Sequence, residues 1–448
     1  MKKLVALLIF VASPQIFASD KEITEKIPAE ILANGKAYEN LKELTKIGAR
    51  LVGSKNAAKA VEWAKKKMED SGFDKVTLQP VTVKVWERGN VERASVTSHK
   101  HKDNLRITAL GGSVGTGKKP IQAQVIEVKS LQEATELGEK AKGKIVFFNR
   151  PFDYAKVSTF RAYGEAVDQR LEGPSIAAKV GAVAVLVRSM TTKIDDHPHT
   201  GALFYTDDVA KIPAAALSTM AAEKLSALLK TDAQAEVKLE LSAHDTGTAE
   251  SFNVIGELKG KDKPDEIIVV GGHLDSWDLA QGAQDDGAGC VQSIEVLRTI
   301  KALGLQPRRT IRAVMFMGEE RGAAGGKEYA KQAKEKNEKH IAAIESDEGG
   351  FTPLGFSVDA KDRVLHHLQD WGRYLEPIHA DRAVKGHGGT DIGFLTDVAQ
   401  FGLNPDSQRY FDYHHAETDT IDVVNERELH LGASAMTILT WLLSEHGL

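Results

Sequence analysis

Six residues able to do metal chemistry stand in order along the C-terminal half of the chain: His273, Asp285, Glu319, Glu320, Asp347 and His415. They sit in the strings GGHLDSWD (271–278), GAQDDGAG (282–289), MGEERG (317–322), ESDEGG (345–350) and YHHAETDT (413–420). Each string follows a short apolar run or lies among glycines, where a chain turns and exposes side chains. Hard carboxylate oxygens and imidazole nitrogens, with no thiolate, are the donor set of a hydrolytic zinc pair. Peptide hydrolysis asks for a polarised carbonyl, a water made nucleophilic near neutral pH and a protonated leaving amine. Two divalent cations about 3.5–4 Å apart meet the first two needs, a shared carboxylate holds them at that spacing, and a free Glu or Asp carries the proton.

The elements that must position these residues are legible nearby. EIIVV (266–270), TIRAVMFM (310–317) and IAAI (341–344) read as buried strands, and each runs straight into a ligand string. The stretch from Cys290 to Leu303 is amphipathic at helical spacing. Strand–helix–strand order predicts an α/β sheet with the candidate ligands at the carboxyl ends of its strands, the edge at which open α/β sheets bind ligands. Asp286 is placed to cap the helix after its turn, while Glu348 and Asp278 read as solvated groups or local backbone braces. Cys290, the single cysteine, excludes an intrachain disulfide and reads as a small buried hydrophobe.

Upstream, NAAKAVEWAKKKMEDSG (56–72) carries a helical apolar stripe that stops at Gly72, and VTLQPVTVKVW (76–86) is extended. From GGSVGTGKK (111–119) the texture changes to short strands at 123–128, 144–148, 182–188 and 214–217, with helical stretches near 131–139, 174–180 and 219–229. This segment, 111–247, reads as a separate inserted domain. Its DDHPH string (195–199) reads as a solvated loop. Residues 1–18 read as a secretory leader: Lys2 and Lys3, an apolar Leu4–Ala12, and Ile16-Phe17-Ala18 before a cut at Ser19. At 448 residues the chain is too long for one ordinary core. Its charge of −5 and pI near 6.3 offer no basic face for nucleic acid or an anionic membrane.

The ligand strings resemble those of the zinc exopeptidase family of bacterial leucyl aminopeptidases and glutamate carboxypeptidase, and above all its carboxypeptidase Q branch. The likeness extends to SKNAAKAVEWA (54–64), VKVWERG (83–89), KGKIVFFNRPF (142–152), HTGALFY (199–205) and KIPAAAL (211–217). It implies a three-layer α/β/α fold with a mixed, largely parallel sheet. The catalytic domain would span 19–110 and 248–448, with a protease-associated-type insert at 111–247 and a homodimer as the assembly. It implies two zinc ions per chain. His273 and Asp347 would serve the first, Glu320 and His415 the second, and Asp285 would bridge them. Asp275 would orient His273, and Glu319 would act as general base. His415 stands four residues before Asp419, as the family's pattern has it, and the adjacent His414 is the competing ligand. Gly389, Thr390 and Asp391 in GHGGTDIGF (386–394), with Arg409, Tyr410 and Tyr413, are candidates for gripping substrate. The implied activity is an exported exopeptidase for short peptides, chiefly unblocked dipeptides. An aminopeptidase on longer chains, a glutaminyl cyclase-type acyltransferase and an inactive binding module on the same fold are the alternatives.

Overall fold

The computed structural model describes residues 19–99 and 102–448, so the expected leader at 1–18 lies outside the described residues. In chain order the strands are β1 (Lys75–Glu87), β2 (Glu92–Thr97), β3 (Lys102–Leu105), β4 (Ile107–Ala109), β5 (Ile121–Val128), β6 (Ile145–Phe148), β7 (Ala184–Arg188) and β8 (Ala214–Leu217). They continue with β9 (Glu236–Leu241), β10 (His244–Leu258), β11 (Lys263–His273), β12 (Arg309–Phe316), β13 (Lys339–Glu345), β14 (Pro353–Asp359), β15 (Arg382–Lys385) and β16 (Ala399–Pro405). They form two eight-stranded sheets, ordered β1-β10-β12-β11-β13-β16-β14-β15 and β3-β2-β9-β5-β6-β7-β8-β4.

The first sheet is mixed. Its centre, β12-β11-β13-β16, is parallel, and antiparallel β10 and β14 flank it. The β-branched run of β11 is unbroken because both faces are covered. Ile268 and Val270 pack with Ile294 and Leu297 of helix Ala288–Ala302 and Leu439 of helix Glu426–His446. Ile267 and Val269 pack on the other face with Tyr329 and Ala333 of helix Ala324–Glu335. Helices on both faces make this a three-layer α/β/α fold. Leu297 is fully buried, so truncating it to alanine is expected to cost about 2–5 kcal/mol. Helix Lys55–Asp70 starts where the Ser54 hydroxyl accepts the Ala57 N–H at 3.1 Å, and buries Val61, Ala64 and Met68 in the same core.

The second sheet has its own core. Phe147 and Leu186 point to one side with Val237 and Leu225, while Phe148 and Val187 point to the other with Ala134 and Ala177. It takes in β2–β4, so it begins before Gly111, and the Gly-rich stretch 111–119 joins β4 to β5 inside it. The polar strands ERASVT and KDNL carry little apolar signal. ERASVT is placed by pairing with β9 far downstream, Glu92 opposite Leu241, and KDNL by pairing in turn with ERASVT, Leu105 opposite Ala94. The sheets meet at Trp86 and Trp277, whose rings stand edge to face at 6.4 Å. Arg88 joins them too: it grips the Asp278 carboxylate at 2.6 and 2.8 Å and donates to the Ala109 carbonyl at 2.7 Å. Asp278 is thus an inter-sheet brace rather than a solvated carboxylate.

Candidate metal centre

Parallel strands that end in register deliver the site. His273 closes β11, Glu319 and Glu320 follow β12, and Asp347 follows β13. The His273 Nδ1–H donates to the main-chain oxygen of Asp275 at 3.0 Å. Its Nε2 then faces Asp285 Oδ1 at 3.1 Å and Asp347 Oδ1 at 3.3 Å. The His415 Nδ1–H donates to the Thr200 carbonyl at 3.3 Å, and its Nε2 faces Asp285 Oδ2 at 3.3 Å and Glu320 Oε2 at 3.2 Å. One Asp285 oxygen belongs to each half. Burial pushes His415 down to about 3, so its neutral ring turns a lone pair towards carboxylate oxygens, an arrangement that a cation between them resolves. At His273 burial acts downwards, but the Asp347 and Asp285 carboxylates outweigh it and hold the ring well above its ordinary value, as a cation-seeking cluster would. Nitrogen and oxygen ligands around 2.0–2.1 Å from a tetrahedral ion lie about 3.4 Å apart, close to the separations seen.

The supports are main-chain contacts. The Asp286 carboxylate accepts the His273 N–H at 2.9 Å and the Gly289 N–H at 2.8 Å, bracing the strand end and the start of the next helix together. Asp419 accepts the N–H groups of Gln284 at 2.7 Å and Asp285 at 3.1 Å. Arg50, fully buried, donates to the carbonyls of Leu274, Gln281 and Gly282. The Asp275 carboxylate stands 3.8 Å from His273 Nδ1 and instead accepts the N–H groups of Gly318 at 2.7 Å and Glu319 at 3.2 Å. It therefore fixes the loop that carries Glu319. His414 stacks on His415 with ring centroids 3.5 Å apart, but its Nε2 stays 3.9 Å from Asp285 Oδ2.

Residues 253–440 match the model of peptidase family M28. Carboxypeptidase Q of Bos taurus is 35% identical over 92% of this chain and 86% of its own length. Carboxypeptidase Q of Xenopus laevis is 36% identical over 96% and 90%. The solved structure of a peptidase M28 precursor from Shewanella amazonensis SB2B superposes with a TM-score of 0.92 at 34% identity, covering 96% of this chain and 97% of that one. The chain belongs to peptidase family M28. It is a metallopeptidase, as the resemblance implies. An aminopeptidase from Aneurinibacillus sp. strain AM-1, 20% identical with a TM-score of 0.64, shares the fold.

The M28 centre opens into a cavity of about 640 Å³, within the about 300–1,000 Å³ range of small-ligand sites. One wall is Phe160, Tyr163, Arg170 and Phe204, all from the second sheet's chain segment. Arg170 is buried and donates to the Thr200 carbonyl at 3.3 Å, the Ala202 carbonyl at 3.2 Å and the Tyr163 hydroxyl at 2.6 Å. Among the expected substrate residues, Gly389, Thr390 and Tyr410 line the cavity. Asp391, Arg409 and Tyr413 do not. Asp391 is buried and accepts the Gly326 N–H at 3.1 Å at the start of a helix, while Arg409 is held on the Tyr413 hydroxyl outside the cavity. The DDHPH string is not a solvated loop: His199 is buried, and its Nδ1–H donates to the His414 carbonyl at 2.6 Å.

Two further carboxylates were hidden in the ESDEGG string. Glu345 accepts the N–H groups of Thr390, Asp391 and Ile392 at 3.0, 3.3 and 2.9 Å and so shapes the glycine-rich loop. Glu348 lines the cavity, where burial and the Asp347 charge push its carboxyl up to about 7. Burial also pushes Glu319 up to about 8, with the Asp347, Asp275 and Asp285 charges adding to it, and pushes His415 down to about 3. Burial holds Glu320 well above the ordinary carboxyl range, with the Asp285 charge adding to it. Crowded buried carboxylates resist joint ionisation unless cations lie among them. Among the described residues Glu320 Oε1 and Asp275 Oδ2 have no hydrogen-bond partner. The donor set, imidazole nitrogens and carboxylate oxygens, fits zinc.

Proposed function

We propose that this M28 metallopeptidase is an exported di-zinc exopeptidase that hydrolyses short peptides, chiefly unblocked dipeptides. The observation that carries the reading is the division of Asp285 between the two ligand halves, His273 with Asp347 and His415 with Glu320. In this reading Asp285 would serve both ions, with His273 and Asp347 holding one and His415 and Glu320 the other. His415 rather than His414 is the ligand because its Nε2 is nearer Asp285 and its Nδ1 is held by the Thr200 carbonyl. Bound zinc would polarise the scissile carbonyl and acidify the attacking water.

The chain's own residues supply the rest. Glu319, half-buried at the cavity wall, takes the proton from the water and delivers it to the leaving amine. Its raised affinity for a proton suits that transfer. Asp275 holds Glu319 in place through the main chain. Residues 92–241 form the inserted domain in this proposal, and their aromatic wall shortens the cleft, favouring small peptides. The names of the carboxypeptidase Q relatives agree with an exopeptidase.

The test is hydrolysis of unblocked, N-blocked and C-blocked dipeptides with chelator and with added zinc. Chelator-sensitive cleavage of the unblocked set alone supports the reading. Cleavage of C-blocked substrates as well moves it to an aminopeptidase, and no cleavage by zinc-loaded protein ends it.

A further inference from the structure

The charges on the cavity wall are unequally satisfied. The carboxylates of Asp285, Glu320 and Asp347 face imidazoles of the centre. Glu345 is filled by three main-chain N–H groups, and Arg170 is spent on two carbonyls and a hydroxyl. Apart from Glu319, the proposed proton carrier, two charged groups remain that face the cavity without an oppositely charged partner among the described residues. Glu348 meets only the Asn404 amide, at a long 3.3 Å. Lys327 donates one N–H to the Gly322 carbonyl at 2.8 Å and lies over the Phe394 ring at 5.3 Å, leaving two N–H donors free. A half-buried carboxylate that lacks a cation has lost hydration without regaining it, and a cation from the ligand would restore it.

Their placement differs in kind. Glu348 directly follows the candidate ligand Asp347, is half-buried, and lines the cavity where Asn404 of β16 reaches it. Lys327 is exposed at the rim, on the first turn of helix Ala324–Glu335, eight residues beyond Glu319. The cavity therefore offers a carboxylate next to a candidate ligand and an ammonium on an exposed residue of its lining. A free dipeptide carries the same pair of charges: an ammonium on the residue whose carbonyl is attacked, and a carboxylate on the residue that leaves.

We propose that Glu348 and Lys327 are the specificity residues for the two ends of the substrate, Glu348 accepting from a cationic group of the N-terminal residue and Lys327 donating to the C-terminal carboxylate. This rests on the exopeptidase reading above. It adds that charge at both ends, rather than cleft length alone, selects dipeptides. The cation at Glu348 is the α-ammonium or a basic side chain, which share one chemistry and separate in the test.

The experiment compares wild type, Glu348→Gln and Lys327→Met, each zinc-loaded, on Ala-Ala, Lys-Ala, N-acetyl-Ala-Ala and Ala-Ala amide. Blocked peptides that are not cleaved are measured as competitive inhibitors. A charge-assisted hydrogen bond lost from a substrate group is expected to cost about tenfold or more in kcat/KM. Glu348→Gln should lose that much on Ala-Ala through KM, and its affinity for the N-acetyl peptide should match wild type. Lys327→Met should show the same pattern with the C-terminal amide as the indifferent ligand. If Glu348→Gln weakens Lys-Ala only, the cation is the side chain and the residue sets side-chain preference. If wild type cleaves Ala-Ala and Lys-Ala and both variants equal it on both, this assignment is overturned while the exopeptidase reading stands. If zinc-loaded wild type cleaves neither, the exopeptidase reading itself fails.

Discussion

Thr200 and His415 are bonded to each other twice. The Thr200 N–H donates to the His415 carbonyl at 2.9 Å, and the His415 Nδ1–H donates to the Thr200 carbonyl at 3.3 Å. One residue comes from the segment that builds the second sheet, the other from the catalytic edge of the first. The second contact fixes the imidazole tautomer, so the ligand nitrogen is set from outside the α/β/α layers. Arg170 holds the same Thr200 carbonyl and the Ala202 carbonyl two residues on. Arg170→Met is therefore expected to leave one zinc equivalent unchanged and to weaken the other by about 10–100-fold, the usual range for removing a group that orients a ligand. Zinc titration of the apoprotein reads this directly. Two unchanged equivalents would mean that the second sheet does not support the centre.

The proposed roles of Glu319 and Asp285 separate by metal content. Glu319→Gln keeps an uncharged side chain of the same shape and removes the proton carrier. It should bind the full metal complement and lose at least about 10²-fold in kcat, the low end for general acid–base catalysis. Asp285→Ala removes the oxygen facing each half, and should lose metal as well as activity. Metal analysis beside single-turnover rates distinguishes the two. An active Glu319→Gln protein would remove the shuttle, and normal metal content in Asp285→Ala would remove the bridge.

Gly389 tests how the glycine-rich loop is shaped. Its φ is +154°, and an added Cβ would stand 2.4 Å from Glu345 Oε2. That carboxylate holds Thr390, Asp391 and Ile392 through their N–H groups. Gly389→Ala must push either the loop or the carboxylate aside, an overpacking cost of about 1–3 kcal/mol. A lower Tm together with a raised KM is expected, because the loop lines the cavity. An unchanged KM would show that the loop does not meet substrate.

How far the sequence could be read follows from the range of each contact. His273, Glu319, Glu320 and Asp347 were legible because each follows an apolar run whose period and length mark a buried strand. The helix Ala288–Ala302 and the strands β11 to β13 appear within a few residues of their expected bounds. Strands β2 to β4 were not legible: β2 and β3 are polar and are organised by β9 through β2, and β4 is only three residues long and is placed by distant β8. Arg170, Thr200 and Arg50 carried no local signal either: Arg50 and Thr200 bond residues 224 and 215 positions away, and Arg170 bonds the carbonyls of Thr200 and Ala202, which lie outside the named helices and strands. Arg409 and Tyr413 stood at plausible spacing beside the last ligand, but the 3-10 turn Ser407–Asp412 turns Tyr410 inward and leaves them outside the cavity. Glu348 failed in the other direction. An acidic residue between Asp347 and Gly349 is usually solvated, and only the packing of β16 beside it encloses it.

A pH effect on stability is expected from a group remote from the metal centre. His340, at the start of β13, is held down to about 4 by burial and by the neighbouring Arg312 charge, against a raising effect of Glu338. The Tyr329 hydroxyl accepts from Arg312 Nη1 at 2.8 Å and lies 2.8 Å from His340 Nε2, so its proton goes to an unprotonated ring nitrogen. Because the folded pKa lies below that of the unfolded chain, near 6.5, the two states bind equal protons above pH 6.5. Below it the unfolded chain takes up a proton that the folded one refuses. The contribution is complete above pH 6.5 and falls towards pH 4 at up to about 1.4 kcal/mol per pH unit. His340→Gln keeps an acceptor for Tyr329 and cannot titrate. Urea unfolding of the chelated wild type and variant at pH 6.5 and 4.5 should show a shallower loss for the variant, by close to one proton. Chelation removes metal release from the comparison, so parallel losses would mean that His340 is already protonated in the folded protein.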